Sequence, residues 1–199
     1  MKKNHHQILS GIKVLELGQL IAGPFASKTL ADFGAEVIKV ESPKDGDPLR
    51  KWRMLHKGTS VWWQAQSRNK QSICLNLRVK EGQAIARQLA LEADVVIENF
   101  RPGTLEKWGL GWEELHQVNP KMIMLRISGY GQDGPRRDEP GFAAIGEAMA
   151  GLRHITGHPN QIPVRAGVSL GDTIAGLHGA LGVLPVSYTH LTLPTILLV

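Results

Sequence analysis

The carboxylate of Asp172 is the side chain in this sequence whose surroundings best suit covalent chemistry. It directly follows Gly171 and precedes apolar residues spaced three or four apart, which predicts a helix that begins at the aspartate. Those apolar positions are Ile174, Leu177 and Leu181. An aspartate at a helix start can cap the free amides, and the positive field there also keeps the carboxylate ionised, as a nucleophile requires. A plain helix cap and a catalytic nucleophile are therefore both open interpretations.

Glycines surround this carboxylate more densely than a helix start requires. Five of them lie from Gly167 to Gly182, although each glycine inside a helix costs about 1 kcal/mol relative to alanine. A residue without a Cβ atom lets another group approach the backbone closely. The glycines thus favour a role in which a ligand comes near Asp172.

Strands and helices alternate along the chain and would position this segment. A strand over residues 13–17, a helix that opens at Gly23 and Pro24, and a strand over residues 35–41 predict a parallel βαβ unit. The later predicted strands are 72–77, 94–98 and 122–127, and the later predicted helices are 61–66, 80–93, 105–108, 112–118 and 142–151. This order predicts an α/β protein with an open, mostly parallel, Rossmann-like sheet flanked by helices.

Four finer expectations follow from the same pattern. Helix 80–93 should bury Ile85, Leu89 and Ala93 on one face. Cys74 falls in a strand, which predicts a buried thiol. The turn after the first strand, L-G-Q-L-I-A-G-P, lacks the spacing G-x-G-x-x-G, so a dinucleotide-binding loop is disfavoured. Residues 42–60 and 129–141 are predicted as long loops.

Composition limits the classes of function. The 199 residues suit one ordinary domain, and the formal charge of +5 is spread out rather than gathered in the basic stripe of a nucleic-acid binder. A single cysteine excludes an intrachain disulfide framework and favours a reducing compartment, so we expect a cytoplasmic protein. No apolar stretch is long enough for a membrane span, and the histidines lack companions at metal-ligand spacing.

Several segments, in this order, resemble the family III CoA-transferases, also called the CaiB/BaiF family, which includes formyl-CoA and carnitine-CoA transferases. The resemblance covers residues 11–184 and corresponds to the N-terminal half of that family. Its segments are G-I-K-V-L-E-L-G-Q-L-I-A-G-P-F-A, F-G-A-E-V-I-K-V-E-S-P, S-R-N-K-Q-S-I-C-L-N-L, V-V-I-E-N-F-R-P-G, I-S-G-Y-G-Q-D-G-P and G-V-S-L-G-D-T-I-A-G-L-H-G-A-L-G.

The resemblance implies an activity and its partners. Members transfer coenzyme A between an acyl-CoA thioester and a carboxylic acid through a covalent aspartyl-CoA intermediate, and the matched nucleophile is Asp172. Acyl-CoA and the acid are then substrates, with no tightly bound cofactor and no metal. The full-length protein is expected to form an interlocked homodimer. Part of the oxyanion-stabilising machinery would lie in a second half that this sequence does not contain.

The resemblance also implies which residues contact coenzyme A. Its phosphates call for cations or backbone amides, and three places match the family's binding segments. They are Leu75, Asn76 and Arg78 at one strand end, Asn99, Phe100 and Arg101 with Lys107 after another, and Phe142 and Ala143 at a helix start.

Two alternatives remain beside CoA transfer. The α-methylacyl-CoA racemases share the fold and much of the motif set, but they resemble G-H-D where this chain has Gly141, Phe142 and Ala143. Phe142 cannot replace a proton-transferring histidine, which counts against racemisation. The other alternative is an inactive, truncated fragment that only binds coenzyme A or does not fold alone.

The last fifteen residues depart from the pattern. Residues 185–199 contain two prolines and show no helical periodicity, whereas the family continues with more helix. We predict that this tail is non-native read-through and that the domain ends at residue 184. A divergent edge strand is the other interpretation, since proline is tolerated at sheet edges.

Overall fold

Parallel strands form the centre of the computed structural model, which describes residues 7–188. Five of them make one sheet: β1 (Lys13–Glu16), β2 (Glu36–Glu41), β5 (Lys70–Cys74), β6 (Val95–Glu98) and β7 (Ile123–Arg126). Two short antiparallel strands, β3 (Leu55–His56) and β4 (Thr59–Ser60), form a separate hairpin. The predicted open, parallel, Rossmann-like α/β sheet is confirmed.

The strand order fixes where ligands meet the sheet. It runs β5-β2-β1-β6-β7, and every pairing within it is parallel. The chain moves outward from β1 through β2 to β5, then crosses to the other side of β1 to add β6 and β7. The topological switch point therefore lies between β1 and β6, and open α/β sheets bind ligands at the carboxyl ends of strands near such a point.

Helices cover both faces of the sheet. Their bounds are α1 (Ala22–Asp32), α2 (Val61–Gln66), α3 (Lys80–Leu91), α4 (Thr104–Lys107), α5 (Trp112–His116), α6 (Ala143–Met149), α7 (Leu152–Ile155) and α8 (Leu170–Ser187). One hydrophobic cluster joins the sheet to α3, α4 and α5, a second joins it to α1 and α8, and a smaller third contains Ile21, Leu49 and Trp63. Burial of the two larger apolar layers is the main force that holds the elements together.

The face of α3 that meets the sheet differs in part from the prediction. Leu89 and Ala93 pack in the core as expected, but Ile85 is exposed. The buried positions of the helix are instead Gly82, Ala86 and Ala90. A Cβ atom at Gly82 would lie 2.1 Å from the carbonyl oxygen of Asn76. Small residues therefore face the sheet because the helix begins almost in contact with the preceding loop.

The long helix α8 corrects the predicted position of its first residue. It begins at Leu170 with Ser169 in the cap position, so Asp172 lies within the first turn and is not the cap. Its buried positions are Gly176, Ala180 and Val183, and the periodic apolar residues Ile174, Leu177 and Leu181 are exposed. A Cβ atom at Gly176 would lie 2.6 Å from the carbonyl oxygen of Ala22. The small residues thus allow α8 to lie directly against α1.

The tail also differs in part from expectation. Helix α8 continues through Pro185 to Ser187, although no helical periodicity was expected from residue 185 onward. The predicted read-through segment otherwise lies mostly outside the described residues, since 189–199 are not described. The domain boundary at residue 184 stays a prediction.

Smaller departures concern loops and one thiol. The predicted loop 42–60 contains a 3-10 helix, Pro48–Lys51, as well as the hairpin. The predicted helix 142–151 is split into α6 and α7 at Gly151, whose φ of 79° requires the left-handed region. Cys74 is exposed rather than buried, because β5 forms an edge of the sheet. Within residues 7–188, no helix is long and apolar enough to cross a membrane.

Candidate active site at the strand ends

A cleft of about 720 Å³ opens at the carboxyl ends of β1, β2, β5 and β6. Parallel strands place these ends along one edge, where open α/β sheets bind their ligands. The predicted CoA-binding residues that line this strand-end cleft are Leu75, Asn76, Arg78 and Phe100. The structure thus brings together two segments that are far apart in sequence.

Aromatic and polar residues complete the wall of the strand-end cleft. Phe100 and Trp108 meet edge to face, with ring centroids 5.4 Å apart, and both line the cleft. Lys44 and Thr104 also line it and were not predicted. The position of Lys44 just beyond the end of β2 is the sequence signal that would have identified it.

Asn99 has a structural task beside the cleft. Its side-chain oxygen accepts the amide of Gln19 at 2.7 Å, and its side-chain nitrogen donates to the carbonyl of the same residue at 2.8 Å. A Cβ atom at Gly18 would lie 2.8 Å from this oxygen, so the glycine permits the close approach. Asn99 therefore clamps the turn between β1 and α1 and does not line the strand-end cleft.

The remaining predicted cations lie at the surface. Arg101 and Lys107 are exposed and are not among the residues that line the strand-end cleft. Of the three predicted phosphate-binding cations, Arg78 lines it. The amide of Arg78 donates to the side-chain oxygen of Asn76 at 3.1 Å, which shapes the turn after β5.

A buried ionic network holds the turn between β1 and α1. The Lys39 side chain is 1% exposed, and its Nζ donates to Glu16 at 2.6 Å and to the carbonyl of Gly18 at 2.8 Å. The same nitrogen lies 2.8 Å from the carboxylate of Asp47. Asp47 in turn accepts the amide of Leu20, which has a left-handed φ of 63°. Burial disfavours the charged lysine, but the two carboxylates overcome this and raise the pKa of Lys39.

This network was not predicted from the sequence, because charged side chains are seldom fully buried. Lys70 extends it, since its Nζ donates to Glu16 at 2.7 Å and to the carbonyl of Pro24 at 2.8 Å. Burial lowers the pKa of Lys70 despite that contact. A charged residue in each of three neighbouring strands, at Glu16, Lys39 and Lys70, is the signal that would have revealed it.

Glu41 is a further acidic group near the cleft, and its ionised form is strongly stabilised. Glu41 lines the strand-end cleft and accepts hydrogen bonds from Arg50, from the hydroxyl of Ser72 and from the amide of Asp47. Burial raises the pKa of the Glu41 carboxyl, but these donors outweigh it and bring the pKa down to about 2. The guanidinium of Arg50 also lies 4.0 Å from the ring centre of Trp63.

The carboxylate of Asp172 stands apart from these paired acids. It lies half-buried in the first turn of α8, and no hydrogen bond or ion pair holds it within residues 7–188. Burial raises the pKa of the Asp172 carboxyl above its ordinary value, while Arg165 offsets part of this shift and Glu147 adds to it. A free carboxylate with a raised pKa retains more nucleophilic character than one held in an ion pair.

The third predicted segment lies next to Asp172 rather than in the strand-end cleft. A Cβ atom at Gly171 would lie 2.9 Å from the Cβ atom of Ala143, so the start of α6 touches the residue before Asp172. Phe142 is 74% exposed next to it. Gly129 and Gly141 are also in near contact, which closes the loop between them and brings α6 to the end of β7.

Comparison with known proteins identifies the class to which this fold and site belong. The family model described as CoA-transferase family III matches residues 9–189. The chain belongs to this family. A crystal structure of a CaiB/BaiF family protein from Brucella suis aligns with a TM-score of 0.86 at 39% identity, over 90% of this chain and 49% of that one.

Named relatives are similar over the same region. The chain is 58% identical over 177 residues to a succinyl-CoA–D-citramalate CoA-transferase of Chloroflexus aurantiacus, which covers 88% of this chain and 44% of the relative. It is 44% identical over 176 residues to the human succinyl-CoA:glutarate CoA-transferase, over 88% of this chain and 40% of that protein. The chain therefore spans less than half the length of these curated relatives.

Proposed function

We propose that the protein carrying this chain transfers coenzyme A from an acyl-CoA thioester to a carboxylic acid, with Asp172 as the covalent nucleophile. The observation that carries the proposal is the carboxylate of Asp172, which has no hydrogen-bond or ion-pair partner within residues 7–188. The buried acids Glu16, Glu41, Asp47 and Glu98 are all paired with cations or amides. An unpaired carboxylate at a helix start suits attack on a thioester.

Four balanced steps describe the proposed reaction. An oxygen of Asp172 attacks the thioester carbonyl, the C–S bond breaks, and a mixed anhydride forms while CoA thiolate leaves. The thiolate attacks the aspartyl carbonyl and releases the donor as its carboxylate, which leaves aspartyl-CoA. The acceptor carboxylate displaces the thiolate to form a second anhydride. The thiolate then attacks the acceptor's acyl carbon and regenerates the free carboxylate of Asp172.

The strand-end cleft is the proposed site for the nucleotide part of coenzyme A. Leu75, Phe100 and Trp108 offer an apolar wall for the adenine, and Arg78 and Lys44 offer cations for phosphates. Asn76 shapes the turn that presents Arg78. Exposed Arg101 and Lys107 would contribute from outside the cleft, through long-range attraction of the polyanion.

The names of the relatives indicate dicarboxylic substrates. The Chloroflexus and human proteins are named for succinyl-CoA as donor and for D-citramalate or glutarate as acceptor. We extend this to the present protein, with succinyl-CoA as the donor. Racemisation of an α-methylacyl-CoA is disfavoured because Phe142 stands where a proton-transferring base would be required. We also propose that the protein lies in the cytoplasm and forms an interlocked homodimer.

Trapping of the covalent intermediate tests the proposed function. The intact protein is incubated with succinyl-CoA and then with hydroxylamine, which converts an aspartyl thioester to a hydroxamate that peptide mass mapping locates. We expect the modification at Asp172 and its loss, with loss of transfer, in Asp172→Asn. Asp133→Asn, which changes an exposed aspartate, is the matched control. Modification elsewhere, or transfer that persists in Asp172→Asn, would overturn the proposal.

A further inference from the structure

Glu147 is a buried acid that lies close to the proposed nucleophile, Asp172. Its two carboxylate oxygens differ in their contacts. Its side chain on α6 is 2% exposed. The amide of Gly171, directly before Asp172, donates to Oε1 of Glu147 at 3.3 Å. Within residues 7–188, the buried Oε2 atom accepts no hydrogen bond, and the Nε atom of Arg165 lies 3.8 Å from it. A buried acceptor without a hydrogen bond lowers the stability of the fold, which points to a purpose for Glu147.

One purpose is to complete the start of α8. The first amides of a helix have no partner within the helix, and an N-cap side chain usually accepts one of them. Ser169 occupies the cap position of α8 but makes no side-chain cap bond. Glu147 supplies the missing acceptor from α6, and it binds the amide adjacent to the nucleophile. The backbone of Asp172 is thereby fixed relative to α6.

The other purpose concerns Arg165. This guanidinium acts electrostatically on both carboxylates, since it lies 3.8 Å from Glu147 and opposes the raised pKa of Asp172. An arginine that paired fully with Asp172 would stabilise its charge and lower its nucleophilicity. The open Oε2 atom of Glu147 attracts the same guanidinium away from the nucleophile.

We propose that Glu147 is a positioning residue for Asp172: it fixes the first turn of α8 through the Gly171 amide and keeps Arg165 from pairing with the nucleophile. The kinetic part of this inference rests on the proposed function, whereas its electrostatic part concerns the ligand-free protein. This role explains why a negative charge is buried close to a second carboxylate, an arrangement that is otherwise unfavourable.

The charged groups of α1, β7 and α8 that follow have partners of their own. Helix α1 packs against α8, but its Lys28 and Asp32 pair with each other at 2.5 Å. Strand β7 also contacts α8, and its Arg126 pairs with Glu98 and Glu106. On α8 itself, the Nδ1 atom of His178 lies 2.9 Å from the carbonyl of Ile174. Glu147 and Arg165 are therefore the charges that govern Asp172.

The variant Glu147→Gln tests the role of the negative charge of Glu147, because glutamine has nearly the same shape but is neutral. Glutamine retains the acceptor for the Gly171 amide but removes the charge that attracts Arg165. The pKa of Asp172 in the ligand-free intact protein is measured by carboxyl ¹³C NMR, and the signal is assigned by its loss in Asp172→Asn. We expect this pKa to fall by about 0.5–1 unit in Glu147→Gln, because one negative neighbour is lost and the arginine is released. The acidic limb of kcat should move to lower pH by the same amount.

Two further variants keep the inference falsifiable. In Glu147→Gln with Arg165→Gln, the pKa of Asp172 should rise again, because neither charge remains to compete. Glu147→Ala should add a loss of thermal stability, since the Gly171 amide then has no acceptor. An unchanged pKa of Asp172 in Glu147→Gln would overturn the inference. Because NMR needs no turnover, this outcome is distinct from failure of the proposed function, which Asp172→Asn reveals by continued transfer.

Discussion

At the scale of single residues, ionisable groups in this chain fall into two kinds. Most buried acids are held by cations or amides, as Glu41 is by Arg50 and Ser72. Asp172 has no such partner within residues 7–188, and burial raises its pKa. The lowered pKa of Glu41 means that its charge stabilises the fold at neutral pH, whereas the raised pKa of Asp172 means that its charge lowers the stability.

Removal of the charge at Asp172 should therefore stabilise the protein. A carboxyl whose folded pKa is raised binds its proton more tightly in the folded state, so stability is lost as pH rises through that pKa. At pH 7, we expect Asp172→Asn to be more stable by about 0.5–1 kcal/mol, because water still screens the half-buried group. Thermal unfolding at pH 4 to 7 measures this. A gain that does not grow with pH, or an equal gain in Asp133→Asn, would contradict the argument.

Glu41 should show the opposite dependence. Its folded pKa of about 2 lies below the ordinary value of 4.5, so its contribution is present above pH 4.5 and is lost as pH falls toward 2. We expect Glu41→Gln to lose about 1–2 kcal/mol at pH 7, since Arg50 is partly exposed and its charge is screened. Urea unfolding at pH 7 and pH 2.5 should show a large difference at the first and a small one at the second. An equal loss at both would contradict this.

At the scale of elements, helix packing shows which features of the fold sequence patterns can predict. The alternation of strands and helices was sufficient to predict the parallel sheet, and α2 has the predicted bounds Val61–Gln66. The inward face of α3 was predicted wrongly in part, because Ile85 was expected inside, and the apolar spacing along α8 did not reveal its buried face. These helices lie so close to their neighbours that glycine and alanine fill the contact, as at Gly176 and Ala180. Periodicity locates a helix but does not measure its distance from the sheet.

The candidate site shows the same limit. Local sequence placed Leu75, Asn76, Arg78 and Phe100 at strand ends, and the fold brings them into one cleft. The ionic network around Lys39 joins residues far apart in the chain, so no local pattern reveals that this lysine is buried. Glu147 on α6, which accepts the amide of Gly171 next to Asp172, was missed for the same reason.

The contact between α8 and α1 should tolerate no added volume at Gly176. A Cβ atom there would lie 2.6 Å from the carbonyl of Ala22. We expect Gly176→Ala to destabilise the protein by about 1–3 kcal/mol, because the backbone must shift to relieve the clash. Gly182→Ala in the same helix is the control, since a Cβ atom there would meet no other atom within 4 Å; it should stabilise by about 0.5–1 kcal/mol. Thermal unfolding distinguishes the two, and equal effects would refute this packing.

At the scale of the whole molecule, the described chain exposes an apolar face on α8. Ile174, Leu177 and Leu181 point away from the sheet, and Leu181 is 53% exposed. Soluble proteins seldom leave such a row uncovered. The chain also spans 44% of the length of its Chloroflexus relative. The expected interlocked homodimer is one way in which this face would be covered.

Residues 1–199 expressed alone should consequently self-associate and show no transfer. The apolar face of α8 favours association, and the double substitution Leu177→Gln with Leu181→Gln should shift the protein toward smaller species. Ile85→Gln, which changes an exposed apolar residue on α3, is the control. Sedimentation velocity measures the distribution. A monodisperse monomer with full transferase activity would refute the prediction and the inactive-fragment interpretation with it.

The exposed edge of the sheet has a practical consequence. Cys74 is the single thiol of the sequence, it is solvent-accessible, and it directly precedes Leu75 in the wall of the strand-end cleft. A maleimide dye would therefore attach at one defined place, a single residue from the proposed nucleotide site. The chain thus carries its own attachment point for an optical sensor, and a titration with coenzyme A would need no engineered cysteine and no removal of others.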